Sequence, residues 1–234
     1  MLKSYIAFDI ETTGLSPEMN EIIEIGALKV RGGRVQERFM EFIKPKNSIP
    51  DNITALTGIT NAMVEQAGNM EQVLPQFLKF CEDDVLIGHN LIFDYSFVKI
   101  GADTLGSDFE RHGIDTLKIA KRVHRDLPSK SLGELCRHYS IDNSAAHRAY
   151  HDALATAKLY QTLAHYFEED EPEVFQPCPL ICGALKCPSA TKKQLDFLKR
   201  LAKQKGLPQT WNPETLTRNE ASQLIDGILS GRNL

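Results

Sequence analysis

No apolar run in this 234-residue chain approaches the roughly 20 residues a bilayer-spanning helix needs, so no membrane association is expected. The opening residues, MLKSYIAFDIE, carry an acid inside their apolar stretch and no small-residue cleavage site, unlike a secretory signal. Cysteine is sparse. Cys81, Cys136, Cys178, Cys182 and Cys187 make an odd set without the spacing of a disulfide framework, which suits a reducing compartment and makes the cytoplasm the expected location. The last three crowd into CPLICGALKC (178–187), where zinc would need a fourth Cys or a nearby His; free thiols are the competing reading. Internal repeats are missing. Positive charge is in short supply as well, with 27 Lys and Arg against 31 Asp and Glu, which would suit a nucleic-acid binder poorly if the charge were spread evenly. It is uneven: residues 190–234 hold eight basic and four acidic side chains, a net of +4, and leave a net of −8 on the rest.

What the chain does have is the composition of a soluble globular protein, 42% hydrophobic and 25% charged, and enough length for one good-sized domain with a small companion. Residues 4–10, 21–31 and 34–43 read as strands, the last two joined as a hairpin through RGGR (31–34). The stretch 44–60 begins as a loop and offers Pro50 before a short helical turn ending at Gly58. Val73, Leu74, Phe77, Leu78 and Cys81 fall at helical spacing within 70–82, and DVLIGHN (84–90) reads as a buried strand. A helix in FDYSFVKIGADTLG, a strand end in RHGIDTL, a helix in SLGELCRHYSI and a long helix over 147–167 complete the pattern. Three early strands followed by alternating helices and strands imply an α/β fold, a mixed β-sheet flanked by helices. From Glu168 to Pro188 the composition turns acidic and then proline-rich, so 1–168 is expected as the main domain and 169–189 as a linker. Beyond it comes a small basic helical module over 190–234. One helix is capped by Ser189 or Thr191 and stopped at Gly206; the second carries a Thr217/Glu220 capping box, and Trp211 or the main body could cover the apolar stripe.

Two acids end the first strand. In YIAFDIETTGLSP (5–17), Asp9 and Glu11 lie two apart and so project from one face, where their repulsion is relieved by solvent, by a shared proton or by a cation between them. Asp94 follows the buried strand in GHNLIFD, at the carboxyl edge where α/β sheets carry their sites; interaction with its own helix dipole is the alternative. Asp152 stands in AAHRAYHDALATA among small residues. Ala149 and Ala153 would let that helix lie close to the sheet and bring Asp152 to the same edge, although an exposed position with Arg148 as its i,i+4 partner also fits the spacing. His151 turns about 100° away on the helix, so His147 in the preceding loop is the better base. Four acids and a histidine suit two hard divalent cations, Mg²⁺ or Mn²⁺, clamping a phosphodiester.

FDIETTGL, HNLIFD and HRAYHDA, taken in order, resemble the three motifs of the DnaQ-like exonucleases with four acids and a histidine. EIIEIGALKV and IPDNITALTGIT are similar to the segments between those motifs, so the resemblance spans about 4–167. It implies a ribonuclease H-like fold and removal of nucleotides from a 3′ end, of the proofreading or repair type. It further implies that Asp9 bridges both ions, Glu11 and Asp152 hold the first, Asp94 holds the second largely through water, and His147 is the base. Thr12, Thr13, Leu56, Thr57, Asn90 and Phe93 would receive the terminal nucleotide; Leu56 and Phe93 have the apolar side chains that wedge or stack against bases, while packing is the other reading of Phe93. The implied partner is single-stranded DNA or a frayed 3′ end, with the exonuclease either free-standing or lent to a DNA polymerase; the chain itself shows no polymerase segment. RNA trimming and a non-catalytic adaptor on the same scaffold are the alternatives. The basic module could follow a phosphate backbone or could be a solvated face.

Overall fold

The computed structural model describes residues 1–143, 146–182, 189–209, 211–213, 216 and 218–229, without the side chains of 218–220, 223, 226 and 229. It forms two compact units, Met1–Cys182 and Gly183–Leu234. In the first, β1 (Tyr5–Thr12), β2 (Ile22–Arg31) and β3 (Arg34–Phe42) are followed by α1 (Asp51–Thr57), α2 (Asn61–Val64) and α3 (Met70–Cys81). Then come β4 (Leu86–Gly88), α4 (Leu91–Thr104), β5 (His112–Asp115), α5 (Thr116–Val123), α6 (Leu132–His138) and α7 (Ala149–Phe167), with β6 (Cys178–Pro179) last. The six-stranded sheet runs β3-β2-β1-β4-β5-β6. β1 to β3 pair antiparallel, β4 pairs parallel with β1 and β5, and β6 pairs antiparallel with β5. This is the mixed sheet of a ribonuclease H-like fold.

Helices cover both faces, which is why β1 and β2 read as nearly continuous apolar runs. Alternation along β1 divides the core in two. Ile6, Phe8 and Ile10 pack with Leu74, Phe77, Tyr95 and Val98 of α3 and α4, whereas Tyr5 and Ala7 pack with Ile119, Leu135, Ala153, Ala157 and Tyr160 of α5 to α7. Asp9 and Glu11 share the parity of Tyr5 and Ala7, so they project toward α7. Gly32 and Gly33 turn the β2–β3 hairpin at φ 59° and 79°, which side chains other than glycine rarely adopt. On the outer side β3 is exposed along most of its length.

Four boundaries differ from expectation. The buried strand is only Leu86–Gly88, and α4 starts at Leu91 because Asn90 takes a left-handed φ of 68° at its N-cap. Helix α7 starts at Ala149, leaving His147 ahead of it at φ 64°. The stretch expected to be linker from 169 belongs to the first unit through Cys182. There, β6 extends the sheet and Phe175 and Leu180 enter the core, burial that the acidic, proline-rich composition concealed.

In the second unit, α8 (Lys192–Lys205) is capped by Thr191 with Gln194 in a reciprocal capping box and ends at Gly206. It packs with α9 (Arg218–Leu229) through Leu198, Leu201, Ala202, Trp211, Leu216, Ala221 and Ile228, so Trp211 does cover the module's own apolar stripe. Thr217 and the Glu220 side chain of the expected second capping box lie outside the described residues, as does Cys187. Cys178 and Cys182 are free thiols, the latter donating to Ser96 Oγ at 3.6 Å.

Candidate active site

The site grows from one pair of strands. Across the β1–β2 ladder Glu11 stands opposite Glu24, and Asp9 opposite Gly26. Two glutamates facing each other on one side of a sheet repel, so this register needs compensation. Arg148 supplies part of it: its Nη2 and Nε donate to Glu24 at 2.9 and 3.2 Å, and the Ala149 N–H adds a third contact at 3.1 Å. Helix α7 has no side-chain cap of its own, so Glu24 caps it from across the sheet. The alternative of Asp152 as an exposed acid paired with Arg148 is therefore ruled out. Arg148 turns back to a buried glutamate on β2, and Asp152 instead accepts the His147 N–H at 2.7 Å and a bond from the Asn143 side chain.

Gly26 makes that approach possible. A Cβ there would lie 1.9 Å from the Tyr150 nitrogen and 2.2 Å from the Ala149 carbonyl carbon, so only hydrogen fits between strand and helix. The close contact brings buried Asp152 over β1. Its carboxylate, that of Glu11 and the exposed imidazole of His147 each offer one ligand atom within 4.8 Å of one another.

Asp94 arrives from the other side. It lies in the first turn of α4, but its Oδ1 accepts the Ile10 N–H at 3.1 Å, beyond the Ala7–Ile87 pair where β1 leaves β4. That buried contact adds to the interaction with its own helix, whose first turn also holds the carboxylate through the Asp94 N–H. Asp115, which the sequence reading did not single out, anchors the same corner by accepting the Asn90 and Leu117 N–H groups, both at 2.9 Å. His89 bridges Thr116 Oγ and the Lys130 carbonyl, each at 2.9 Å, and so ties the loop before α6 to the end of β4.

The electrostatics are strained. Burial, then Asp94, Asp152, Glu11 and Glu24, hold the Asp9 carboxyl well above the usual carboxylate range. Burial also lifts Asp94 and Asp152, and burial with Asp152 and Glu24 pushes Glu11 up to about 8 against the opposing pull of Arg148. Since Arg148 is already engaged with Glu24, what suits this donor set is hard cations.

The candidate nucleotide-contacting residues divide. Leu56 and Asn90 are exposed, and Thr13 and Phe93 are half-buried, the Phe93 ring 5.1 Å from that of Phe97. Thr12 and Thr57 are buried, with hydroxyls engaged by Gly14 and by Ile53 and Ile59. Around Ile23, at the end of β2 that pairs with Thr12, Ile49, Ile53, Ile59 and Val64 pack the α1–α2 segment.

An exonuclease family model, RNase_T, matches residues 6–160, which include every acid of this cluster and His147. The chain belongs to this exonuclease family. Among solved structures, Exonuclease X with 5′-overhanging duplex DNA has a TM-score of 0.60 at 22% identity, covering 74% of this chain and 99% of its own. Exonuclease I gives 0.64 at 20% identity, covering 74% and 42%. Among sequence relatives, the DNA polymerase III subunit epsilon of Aquifex aeolicus is 35% identical over 158 residues, covering 67% of this exonuclease-family chain and 78% of the relative. DNA polymerase III PolC-type of Caldanaerobacter subterraneus is 40% identical over 165 residues, which is 70% of this chain and 12% of the relative. The chain thus spans about an eighth of the length of such PolC-type relatives.

The raised carboxyl pKa values fix a sign. Without cations the folded state holds protons that the unfolded chain releases near pH 4, so stability falls as pH rises from there through about 8, the range set by Glu11. Melting in EDTA is expected to move down by several degrees between pH 5 and 9. Adding Mg²⁺ or Mn²⁺ should raise the melting temperature much more at pH 8.5 than at pH 5.5; an equal rise at both would contradict the electrostatic reading.

Proposed function

We propose that the protein is a metal-dependent 3′–5′ exonuclease that hydrolyses the terminal phosphodiester of single-stranded DNA or a frayed 3′ end and releases nucleoside monophosphates. The observation that carries this reading is the gathering of Asp9, Glu11 and Asp152 under the start of α7, with buried Asp94 beside β1, in a chain of an exonuclease family. Asp9, central to the repulsion, would hold both of two Mg²⁺ or Mn²⁺ ions; Glu11 and Asp152 would hold one, and Asp94 the other largely through water. When bound, such ions supply charge stabilisation for the attacking and leaving oxygens. His147 takes the proton of the attacking water. Its exposed ring suits that task, because a base at the mouth of the site passes its proton to solvent. Leu56, exposed on α1, wedges against the terminal base, and Asn90 and Phe93 at the start of α4 line the nucleotide with Thr13. Thr12 and Thr57, the last residues of β1 and α1, act through the backbone that their hydroxyls hold rather than through free hydroxyls.

DNA is favoured as substrate by the relatives, one named as the epsilon subunit of DNA polymerase III and the other as a PolC-type DNA polymerase III. The same names favour a DNA polymerase as partner and the cytoplasm as location. Among the described residues no helix is long and apolar enough to cross a membrane.

The test is degradation of 3′-labelled and 5′-labelled single strands of DNA and RNA in Mg²⁺, Mn²⁺ or EDTA. Metal-dependent release of mononucleotides from the 3′ label first, faster on DNA, is expected; His147→Ala should slow it about 10²- to 10⁴-fold. Faster attack on RNA would move the reading to an RNA trimmer. Binding without cleavage would replace it with an adaptor.

A further inference from the structure

The residues of the site described above all belong to the first unit, and the second carries the chain's concentrated positive charge. Helix α8 buries Leu198, Leu201 and Ala202 on one side. At 100° per residue its opposite side collects Lys192, Asp196, Lys199 and Lys203 in one strip, with Lys193 and Arg200 in the next. All six of these charged positions are exposed. Five are cations, spread over about 16 Å of helix. None of the five forms an ion pair among the described residues, and Asp196 is the one acid among them. Half-buried Phe197 borders the strip, with the Arg200 guanidinium 5.4 Å from its ring centroid.

A helix needs few charges on its outer face to remain soluble, and five cations in two adjacent strips repel one another. A line of phosphates would neutralise them. The flanking Phe–Arg pair offers an aromatic face of the kind on which unpaired bases stack. We infer that the outer face of α8 is a track for the phosphate backbone of single-stranded nucleic acid, the strand whose end the first unit cuts. In that last clause the inference rests on the exonuclease reading. Strand binding by the track itself does not.

The experiment uses the full chain in EDTA, which stops cleavage, and follows the anisotropy of a labelled 30-nucleotide thymidine strand across a salt series. Lys199→Gln/Arg200→Gln/Lys203→Gln is expected to bind about tenfold more weakly at low salt and to lower the slope of log K against log salt by about 2, at roughly 0.7 per lost phosphate contact. The charge-preserving Lys199→Arg/Arg200→Lys/Lys203→Arg should keep parental affinity, which separates charge from folding. An unchanged slope in the first variant overturns the track and leaves a solvated face. Tighter binding of a 30-base-pair duplex than of the single strand would overturn it as well. The nuclease reading is followed separately with p-nitrophenyl thymidine 5′-phosphate and Mn²⁺, a substrate of one nucleotide. Equal turnover by parent and first variant, beside weaker strand binding, supports the track. No turnover by either, with the slope still changed, sinks the nuclease reading and keeps the track.

Discussion

Asp9→Asn is expected to abolish nuclease activity while making the metal-free protein more stable. The two signs come from one cause. Asp9 is crowded by Asp94, Asp152, Glu11 and Glu24, so at alkaline pH its charge is a repulsion that the fold must absorb, and the amide removes that charge at nearly constant shape. Melting in EDTA at pH 8.5 should rise by a few degrees, about what 1 kcal/mol produces in a protein of this size. With Mg²⁺ or Mn²⁺ present the order reverses, because the parent gains stability from ions that the variant binds poorly. Turnover should fall by three orders of magnitude or more, equivalent to about 4 kcal/mol or more of transition-state stabilisation. A variant that is both less stable in EDTA and still active would show Asp9 to be an ordinary structural acid.

Gly26→Ala is expected to do the largest structural damage of any single methyl group in the site. The atoms its Cβ would meet are backbone, at 1.9 Å, 2.2 Å and 2.4 Å, and backbone cannot swing aside as a side-chain tip can. The first turn of α7 would have to lift by an ångström or more, breaking the Glu24 contacts to Arg148 and Ala149 and carrying Asp152 away from Glu11. Overpacking of this kind costs about 3 kcal/mol. A displacement of one ångström at reacting groups costs about 10²-fold in rate. Both losses should appear together: a melting temperature down by roughly 6–12 °C, and low turnover even at temperatures where circular dichroism shows the fold intact. Glu24→Gln is the milder companion, since its amide oxygen still accepts the Ala149 N–H and its neutrality relieves Glu11. A Gly26→Ala protein with parental melting and turnover would mean that α7 does not depend on this contact.

Much of the fold was legible in the sequence because periodicity is a local signal. The buried pattern of β1, the RGGR hairpin and the helical spacing of Val73, Leu74, Phe77 and Cys81 each announce themselves within a dozen residues. Glu24 did not. Its acid sits at a core-facing position of the apolar run EIIEIGALKV, a clue in itself, but its partner Arg148 lies 124 residues away, and Arg148 had a plausible local mate in Asp152. Local spacing always offers such a mate; only the folded chain decides between the two. The left-handed backbone of His147 and Asn90 escaped for a similar reason, being imposed by contacts made after the strands assemble: Asp152 holds the His147 N–H, and Asp115 holds that of Asn90. The acidic, proline-rich stretch that supplies β6 hid a two-residue strand, too short for any alternation to show.

The outer strand β3 has a further consequence. Its sequence, RVQERFMEF, sets Arg34, Glu37, Arg38 and Glu41 along the sheet's open border, where unpaired N–H and C=O groups would otherwise recruit a strand from another molecule. Charges of both signs on that border make stacking of sheets side by side costly in any register, and at the opposite end β6 covers β5. A protein whose buried acids repel one another, and whose fold is expected to loosen as their charge develops with rising pH, is in this way guarded against passing from an opened molecule to an aggregate.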